Sequence, residues 1–209
     1  MTASATEKRP RTGKARKFFL VRMDFRIRTT PGWRVTNLET LRAGYFTLSP
    51  PPDRRGFAEF PEPPSLLIDD SLGRPPVDWE EYEDFMLVSG RMKRILDQID
   101  PGGFAFVKCE TQGADGHAGP EYWLCDVVRV LDAVDEEKSR VTIKYHQDNW
   151  KIYSLLGGAS LIFKEEIVGT AHIFRMRYLE PQIICDQTFK DVCKEAGLKG
   201  VAFQDAIKN

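Results

Sequence analysis

Hydrophobic and polar residues alternate most regularly in residues 17–28. One side of an extended chain would carry Phe19, Val21, Met23, Phe25 and Ile27, and the other side Phe18, Leu20, Arg22, Asp24 and Arg26. This period of two residues predicts a β-strand with one buried face.

A longer pattern occurs twice, with an offset of 97 residues from Ser89 to Asp186. Each copy contains a capping residue, a helix with one apolar face, a glycine and a short apolar strand. The matched positions are Ser89/Asp186, Met92/Phe189, Ile95/Val192, Leu96/Cys193, Ile99/Ala196, Gly103/Gly200, Phe104/Val201, Ala105/Ala202 and Phe106/Phe203. The sequence therefore predicts two similar strand–helix–strand units.

The remaining apolar runs predict further strands at residues 122–134, 140–146, 159–163 and 172–178. Polar residues 135–139 separate the first two runs, which predicts an antiparallel hairpin. Six prolines occur in residues 50–64, so we expect a surface connection there and no central strand. Hairpins and helical crossovers together predict an α+β fold, with a mixed, largely antiparallel sheet and a few helices.

Composition places the chain among ordinary globular proteins. It has 209 residues, of which 42% are hydrophobic and 29% are charged, and this is enough chain to bury a core without a metal or disulfide. The longest apolar runs are too short for a membrane span or for a secretory signal. We therefore expect one domain over residues 18–209, without membrane association and located in the cytoplasm.

Residues that could perform chemistry do not form a recognisable motif. The four cysteines and three histidines lack metal-ligand spacing, so we predict no metal and no cofactor. Cys185 lies at a predicted helix entrance, where a thiol can become reactive, but its matched position is Val88. Asp132 and Asp135 flank the polar loop, where we expect them to be solvated. We predict no catalytic residues.

The net charge of −1 hides an uneven distribution. Residues 1–17 carry a net charge of +5, and the remaining chain carries −6. The basic residues of this tail are Lys8, Arg9, Arg11, Lys14, Arg16 and Lys17. Because the segment has little to bury, we predict a disordered basic tail over residues 1–17. A tail of this charge could also contact nucleic acid.

Acidic and aromatic residues are concentrated between residues 62 and 84. A solvated surface with inward-facing aromatic rings would explain this composition. The alternative is a face that binds a basic partner, with aromatic anchors among the carboxylates. The residues that we assign to this partner-binding face are Asp69, Asp70, Asp78, Trp79, Glu80, Glu81, Tyr82, Glu83 and Asp84.

Four segments in a fixed order resemble bacterial immunity protein family eleven of the polymorphic-toxin systems. They are Met-Leu-Val-Ser-Gly-Arg-Met-Lys-Arg-Ile-Leu at 86–96, Tyr-Trp-Leu-Cys-Asp-Val-Val-Arg-Val-Leu-Asp at 122–132, His-Ile-Phe-Arg-Met at 172–176, and Gly-Leu-Lys-Gly-Val-Ala-Phe at 197–203. The resemblance covers residues 80–205. The basic tail and the proline-rich segment depart from the pattern of the family.

This resemblance implies a non-catalytic protein that binds a cognate toxin and neutralises it in the cytoplasm. Toxins beside the family resemble nucleases delivered by contact-dependent or type VI secretion. An acidic inhibitor surface suits such a toxin, because a nuclease carries a basic cleft for phosphates. Two other functions remain open: a nucleic-acid-associated regulator that uses the basic tail, and a small hydrolase that uses Cys185 or His172. The sequence leaves the oligomeric state unknown.

Overall fold

The computed structural model of the protein describes residues 15–27, 29–42, 55–57, 59–82, 85–145 and 150–208. The strands are β1 (Phe18–Met23), β2 (Trp33–Val35), β3 (Ser65–Ile68), β4 (Trp79–Tyr82), β5 (Phe85–Ser89), β6 (Phe104–Lys108), β7 (Glu110–Gly113), β8 (Tyr122–Val127), β9 (Val130–Leu131), β10 (Thr142–Tyr145), β11 (Lys151–Ser154), β12 (Ile173–Met176), β13 (Leu179–Asp186) and β14 (Val201–Asp205). The helices are α1 (Leu38–Arg42), α2 (Gly90–Ile99), α3 (Glu165–Val168) and α4 (Gln187–Glu195). This inventory confirms the predicted α+β class.

Two larger sheets form the centre of the fold. One has the strand order β4-β5-β8-β6, and the other has the order β14-β1-β13-β12-β9. All pairings in these two sheets are antiparallel except that of β9 with β12. Smaller sheets, β2-β3-β7 and β10-β11, lie beside them. The predicted mixed, largely antiparallel arrangement is therefore confirmed.

Both predicted helices begin at the expected caps. The Ser89 hydroxyl accepts a hydrogen bond from the Met92 amide at 3.1 Å, and the Asp186 carboxylate accepts one from the Phe189 amide at 3.0 Å. Each contact satisfies an amide that has no partner within the first turn of its helix. The two strand–helix–strand units, β5-α2-β6 and β13-α4-β14, thus form as predicted.

The repeat extends further than the sequence indicated, because each unit encloses a third strand. β8 lies between β5 and β6, just as β1 lies between β13 and β14. Phe106 pairs with Cys125 in the first sheet, and its matched residue Phe203 pairs with Val21 in the second. We call β4, β5, α2, β6 and β8 the first unit, and β12, β13, α4, β14 and β1 the second unit.

Hydrogen bonds in the loops are also equivalent in the first and second units. The Val128 amide donates to the Gly103 carbonyl at 3.0 Å, and the Asp24 amide donates to the Gly200 carbonyl at 2.9 Å. Between the units, β4 contacts β1 and β12 contacts β8. Since β12 corresponds to β4 and β1 corresponds to β8, these two contacts are reciprocal, as in a two-fold symmetric interface.

The main core is shared by the two larger sheets and both long helices. It contains Met92 and Leu96 from α2, Phe189 and Cys193 from α4, and inward-facing residues of both sheets. Separate apolar clusters cover the opposite face of each sheet. The strands β1, β5, β8, β12 and β13 are therefore buried on two faces over most of their length, whereas β6 and β9 are only half-buried.

Several predictions for the strands were wrong. β1 ends at Met23, and Phe25, which was expected on the buried face, is 71% exposed. Over Phe18–Val21 the strand is buried on both faces instead of one, because each face meets a different core. Residues 122–134 and 140–146 do not form a hairpin, since β8 pairs with β5 and β6 while β10 pairs with β11. Residues 159–163 contain isolated bridges at Ser160 and Phe163 but no strand.

The predicted hairpin does not form because the chain leaves its sheet after β8. After β8 the chain crosses to the other sheet, where β9 pairs in parallel with β12. Arg129 stands at this crossing and its guanidinium donates to the Asp100 carboxylate at 2.6 Å. An apolar run that continues from one sheet into another cannot be distinguished from one long strand by its periodicity.

Candidate partner-binding surfaces

The predicted partner-binding face includes the turn after β3, which is the best exposed part of it. We call residues 69–72 the acidic turn: Asp69, Asp70, Ser71 and Leu72. The carboxylate of Asp69 accepts a hydrogen bond from the Ser71 amide at 2.8 Å. The pKa of Asp69 is lowered first by the Ser71 side chain and then by this amide. Leu72 is 45% exposed. The turn therefore presents an apolar side chain beside two carboxylates.

Two glycines hold the acidic turn tightly against the segment before β2. A Cβ atom on Gly73 would lie 2.1 Å from the carbonyl oxygen of Thr30, and one on Gly32 would lie 2.5 Å from the carbonyl oxygen of Asp69. The Asp69 amide also donates to the Gly32 carbonyl at 2.9 Å. Such close backbone contact fixes the turn before any partner arrives, which reduces the entropy lost on binding.

Trp79 and Glu80 point into the protein. The Trp79 side chain belongs to the main core and is 2% exposed. The Glu80 carboxylate accepts two hydrogen bonds from the Arg74 guanidinium, at 2.5 and 2.9 Å, and one from the Val77 amide at 2.8 Å. We therefore remove both residues from the partner-binding face, because their side chains are occupied by internal contacts.

Asp78 also has a structural role. Its carboxylate accepts hydrogen bonds from Arg91 at 2.7 Å, from the Ser89 hydroxyl at 2.7 Å and from the Lys199 amide at 2.9 Å. Burial on its own raises the pKa of Asp78, but these hydrogen bonds outweigh burial and the pKa is lowered. Asp78 thus connects the start of α2 to the loop before β14.

Glu81 and Tyr82 lie on opposite sides of β4. Glu81 is exposed. Burial lowers the pKa of Arg22 of β1, and the negative charge of Glu81 partly offsets that effect. The Tyr82 ring packs edge-on against Trp33, with the ring centroids 5.4 Å apart. Trp33 in turn pairs with Ile68, next to the acidic turn. Tyr82 therefore lies near the acidic turn and Glu81 faces the second unit, while Glu83 and Asp84 lie outside the described residues.

The sequence reasoning missed two exposed aromatic residues, one on β10 and one just before β11. Tyr145 is 66% exposed and Trp150 is 52% exposed. Exposed tyrosine and tryptophan residues are common in the energetic centres of protein interfaces. The exposure of Tyr145 and Trp150 depends on what packs against β10 and β11, which the pattern of a single segment does not show.

The cysteines are free and buried, and their positions in the repeat explain why. Their matched residues are apolar: Ala206 for Cys109, Val21 for Cys125, Val88 for Cys185 and Leu96 for Cys193. Burial raises the pKa of Cys109 and of Cys193 to about 12, and it also raises the pKa of Cys125 and Cys185. A nucleophilic thiol requires the opposite shift.

Other candidate chemical groups have structural partners. His172 contacts the Asp186 carboxylate through Nδ1 at 2.9 Å. Asp135 is nearly buried, contrary to expectation, and is paired with Lys138 at 2.6 Å, whereas Asp132 is exposed as expected. Within the described ranges, no three histidine, cysteine, aspartate or glutamate residues are grouped so that they could hold a metal ion.

Residues 1–14 of the predicted basic tail lie outside the described residues. Arg16, at the end of that segment, is bound to the second unit. Its guanidinium donates to the Asp186 carboxylate at 2.9 Å and to the Ala171 and Gly169 carbonyls at 2.5 and 2.7 Å. Arg16 is therefore ordered, contrary to the prediction of a disordered tail up to residue 17.

No helix within the described residues has both the length and the apolar content needed to cross a bilayer. Comparison with protein families gives one result for almost the whole chain: the model of the immunity protein family (Imm11) matches residues 17–208. No curated protein matches the chain.

Proposed function

Because the chain belongs to the immunity protein family Imm11, which has a toxin-neutralising role, we propose that it binds a nuclease-type toxin in the cytoplasm through the acidic turn. Delivery of that toxin by a polymorphic or type VI secretion system is part of this proposal. The protein acts as a binder without a catalytic step. Its buried, high-pKa thiols support this part of the proposal.

The fixed conformation of the acidic turn is the observation that carries the proposal. Asp69 and Asp70 present negative charge to solvent, and Leu72 supplies apolar contact area. Opposite charge on a phosphate-binding cleft would accelerate the encounter, while Leu72 would be buried in the complex. Tyr82 lies near the turn through its contact with Trp33, and its ring would add aromatic contact area.

Association kinetics with the product of the adjacent gene test this proposal. The double variant Asp69→Ala/Asp70→Ala should bind about tenfold more slowly at low salt, with a weaker dependence on ionic strength. The matched control is Glu137→Ala/Glu166→Ala, which removes the same charge from exposed positions near Lys138. An equal on-rate for both double variants would contradict a role for the acidic turn.

Co-expression tests the immunity role itself. The protein should restore growth to cells that produce the adjacent gene's product, and the two should co-purify. The Leu72→Ser variant should form a weaker complex through faster dissociation, because the apolar contact is lost. Failure of the unaltered protein to restore growth would refute that pairing of toxin and immunity protein.

A further inference from the structure

Helices α2 and α4 occupy matched positions but differ in one pair of charges. In α2, the Lys93 ammonium lies 2.5 Å from the Asp97 carboxylate, one turn further along. The matched residues of α4 are Lys190 and Lys194. The ion pair of the first unit is thus replaced by two like charges in the second unit.

The Lys190 ammonium lies 3.6 Å from the centroid of the Phe19 ring, but the replacement leaves it without the ion pair of the first unit. Two lysines four residues apart repel each other, whereas a lysine and an aspartate at that spacing attract. Burial and the charge of Lys194 both lower the pKa of Lys190. Among the described residues, neither lysine has a carboxylate within ion-pair distance. Lys194 lies in the last turn, where the helix dipole favours a cation, but Lys190 does not.

A groove opens beside these lysines. It has a volume of about 690 Å³ and lies between α4, the start of β14 and the residues that follow β1. Its basic lining consists of Lys190, Lys194 and Lys199, and its apolar lining includes Leu198 and Phe203. Arg26 also lines it, but the Arg26 guanidinium is bound to the Asp24 carboxylate at 2.7 and 2.8 Å.

The groove ends at a sheet edge. Among the described residues, β14 pairs with β1 alone and forms the outer strand of its sheet. An outer strand offers main-chain amides and carbonyls that a second extended polypeptide can bind. Ala202 and Phe203 of β14 line the groove.

We propose that this groove binds an acidic, partly apolar segment of a separate protein. Lys190, Lys194 and Lys199 would contact the carboxylates of the segment, Leu198 and Phe203 its apolar side chains, and the edge of β14 its main chain. Complementary charge identifies the occupant as acidic. The apolar lining and the strand edge favour a polypeptide over a nucleic acid, whose phosphates need neither feature. The inference does not depend on the acidic turn or on the identity of the toxin.

Fluorescence anisotropy with a labelled peptide of alternating glutamate and valine tests the proposal on the full-length protein. The peptide should bind more tightly than the same peptide with glutamine in place of glutamate. The decisive variant is Lys194→Asp, which recreates the charge pair of α2. It should weaken peptide binding about tenfold or more. The new attraction to Lys190 offsets the loss of a cation from the last turn of α4, so the thermal unfolding midpoint should change little.

Lys144→Asp is the matched control, because it makes the same change of charge at an exposed residue of β10. This variant should bind the peptide as the unaltered protein does. Lys190→Gln and Lys199→Gln remove single positive charges and should each weaken binding, which keeps the test valid if Lys194→Asp fails to fold. Equal affinity for the glutamate and glutamine peptides would overturn the proposal.

Two other outcomes would also overturn it. Tighter binding of a labelled single-stranded oligothymidine, lost in Lys194→Asp, would identify a nucleic-acid site instead. Concentration-dependent dimerisation, measured by light scattering and lost in the same variant, would identify the groove as a contact between copies of this chain.

Discussion

The first and second units share their strand order and pairing register, although only four of the 22 residues at 85–106 are identical to their counterparts at 182–203. Apolar character is kept at the matched core positions, so that Met92 and Phe189 both face the main core. The charges at matched positions differ between the units. The apolar pattern therefore maintains the common backbone, while the charged residues depend on the surroundings of each unit.

Charge changes sign at several matched positions. These pairs are Asp126/Arg22, Glu81/Arg175, Lys108/Asp205 and Asp97/Lys194. The first two pairs face each other across the reciprocal contacts between the units. Asp126 therefore meets Arg175, and Arg22 is close enough to Glu81 for its charge to act.

The two cross-unit charge pairs differ in burial. Arg175 donates to the Asp126 carboxylate at 2.9 Å, and the side chains are 3% and 0% exposed. Arg55 also binds Asp126, and the Gly56 amide donates to the same carboxylate at 2.8 Å. Glu81, in contrast, is exposed. One pair is thus a buried network, and the other is open to solvent.

The largest expected effect would come from breaking the buried network. Asp126→Asn should lower the free energy of unfolding by about 3 kcal/mol, because Arg55 and Arg175 lose a shared carboxylate away from water. Glu81→Gln should lower it by less than about 1 kcal/mol, since water screens the exposed pair. Urea unfolding of both variants gives the comparison. Equal losses would mean that burial does not distinguish the two pairs.

Gly103 and Gly200 end the two helical crossovers, and their alanine variants should give the next largest difference in the free energy of unfolding. Gly200 has a φ of 95° and a Cβ there would lie 2.1 Å from the Trp79 carbonyl oxygen, whereas Gly103 is outside the left-handed region. Gly200→Ala should lower the free energy of unfolding by about 2–3 kcal/mol. Gly103→Ala should cost less, because the nearest atoms belong to the Asp100 side chain.

Thermal and urea unfolding of Gly200→Ala and Gly103→Ala measure the two losses of stability. The Gly200→Ala variant should also separate β4 from the loop before β14, since the Trp79 amide donates to the Lys199 carbonyl at 3.1 Å. Faster hydrogen exchange at Trp79 would report that separation. A larger loss for Gly103→Ala would reverse the expected order of the two glycines.

The smallest expected effect concerns the thiols, whose matched residues are all apolar. At neutral pH an aromatic disulfide reagent should leave Cys109 and Cys193 unlabelled in the folded protein, since burial raises the pKa of each to about 12. Urea should expose all four cysteines. Labelling of one thiol in the folded state would show that its core position opens.

The same pKa values set the direction of a pH effect on stability. Below the ordinary cysteine pKa, the thiols are protonated in both the folded and the unfolded chain, so their contribution to stability is fully present. At higher pH the unfolded chain loses these protons first, and stability falls as the pH rises towards the folded pKa of about 12.

Local features were predicted well where one segment contains the whole signal. Ser89 and Asp186 cap their helices as expected, because a cap needs only an acceptor and an amide three residues later. The central strands β1 and β8 were not recognised as parts of the repeat. β1 precedes the helical crossover of the second unit along the chain, whereas β8 follows the crossover of the first unit. The constant offset of 97 residues therefore cannot reveal that the two strands are equivalent.

The structure shows which side chains of the predicted partner-binding face reach solvent. Asp70 is exposed and Asp69 is half-buried. Composition could not distinguish Trp79 and Glu80 from exposed residues. Their burial depends on the main core and on Arg74, six residues before Glu80. The prediction that the acidic turn meets a toxin stays a prediction.

The two helices with their caps, the apolar strands that enter and leave them, and the α+β class could be predicted from the chain, because each follows from the spacing of neighbouring residues. The folded arrangement sets which strands are central, which carboxylates stay in water and which lysines surround the groove. Those outcomes depend on contacts between residues far apart in the chain, and the periodicity of a single segment contains no information about them.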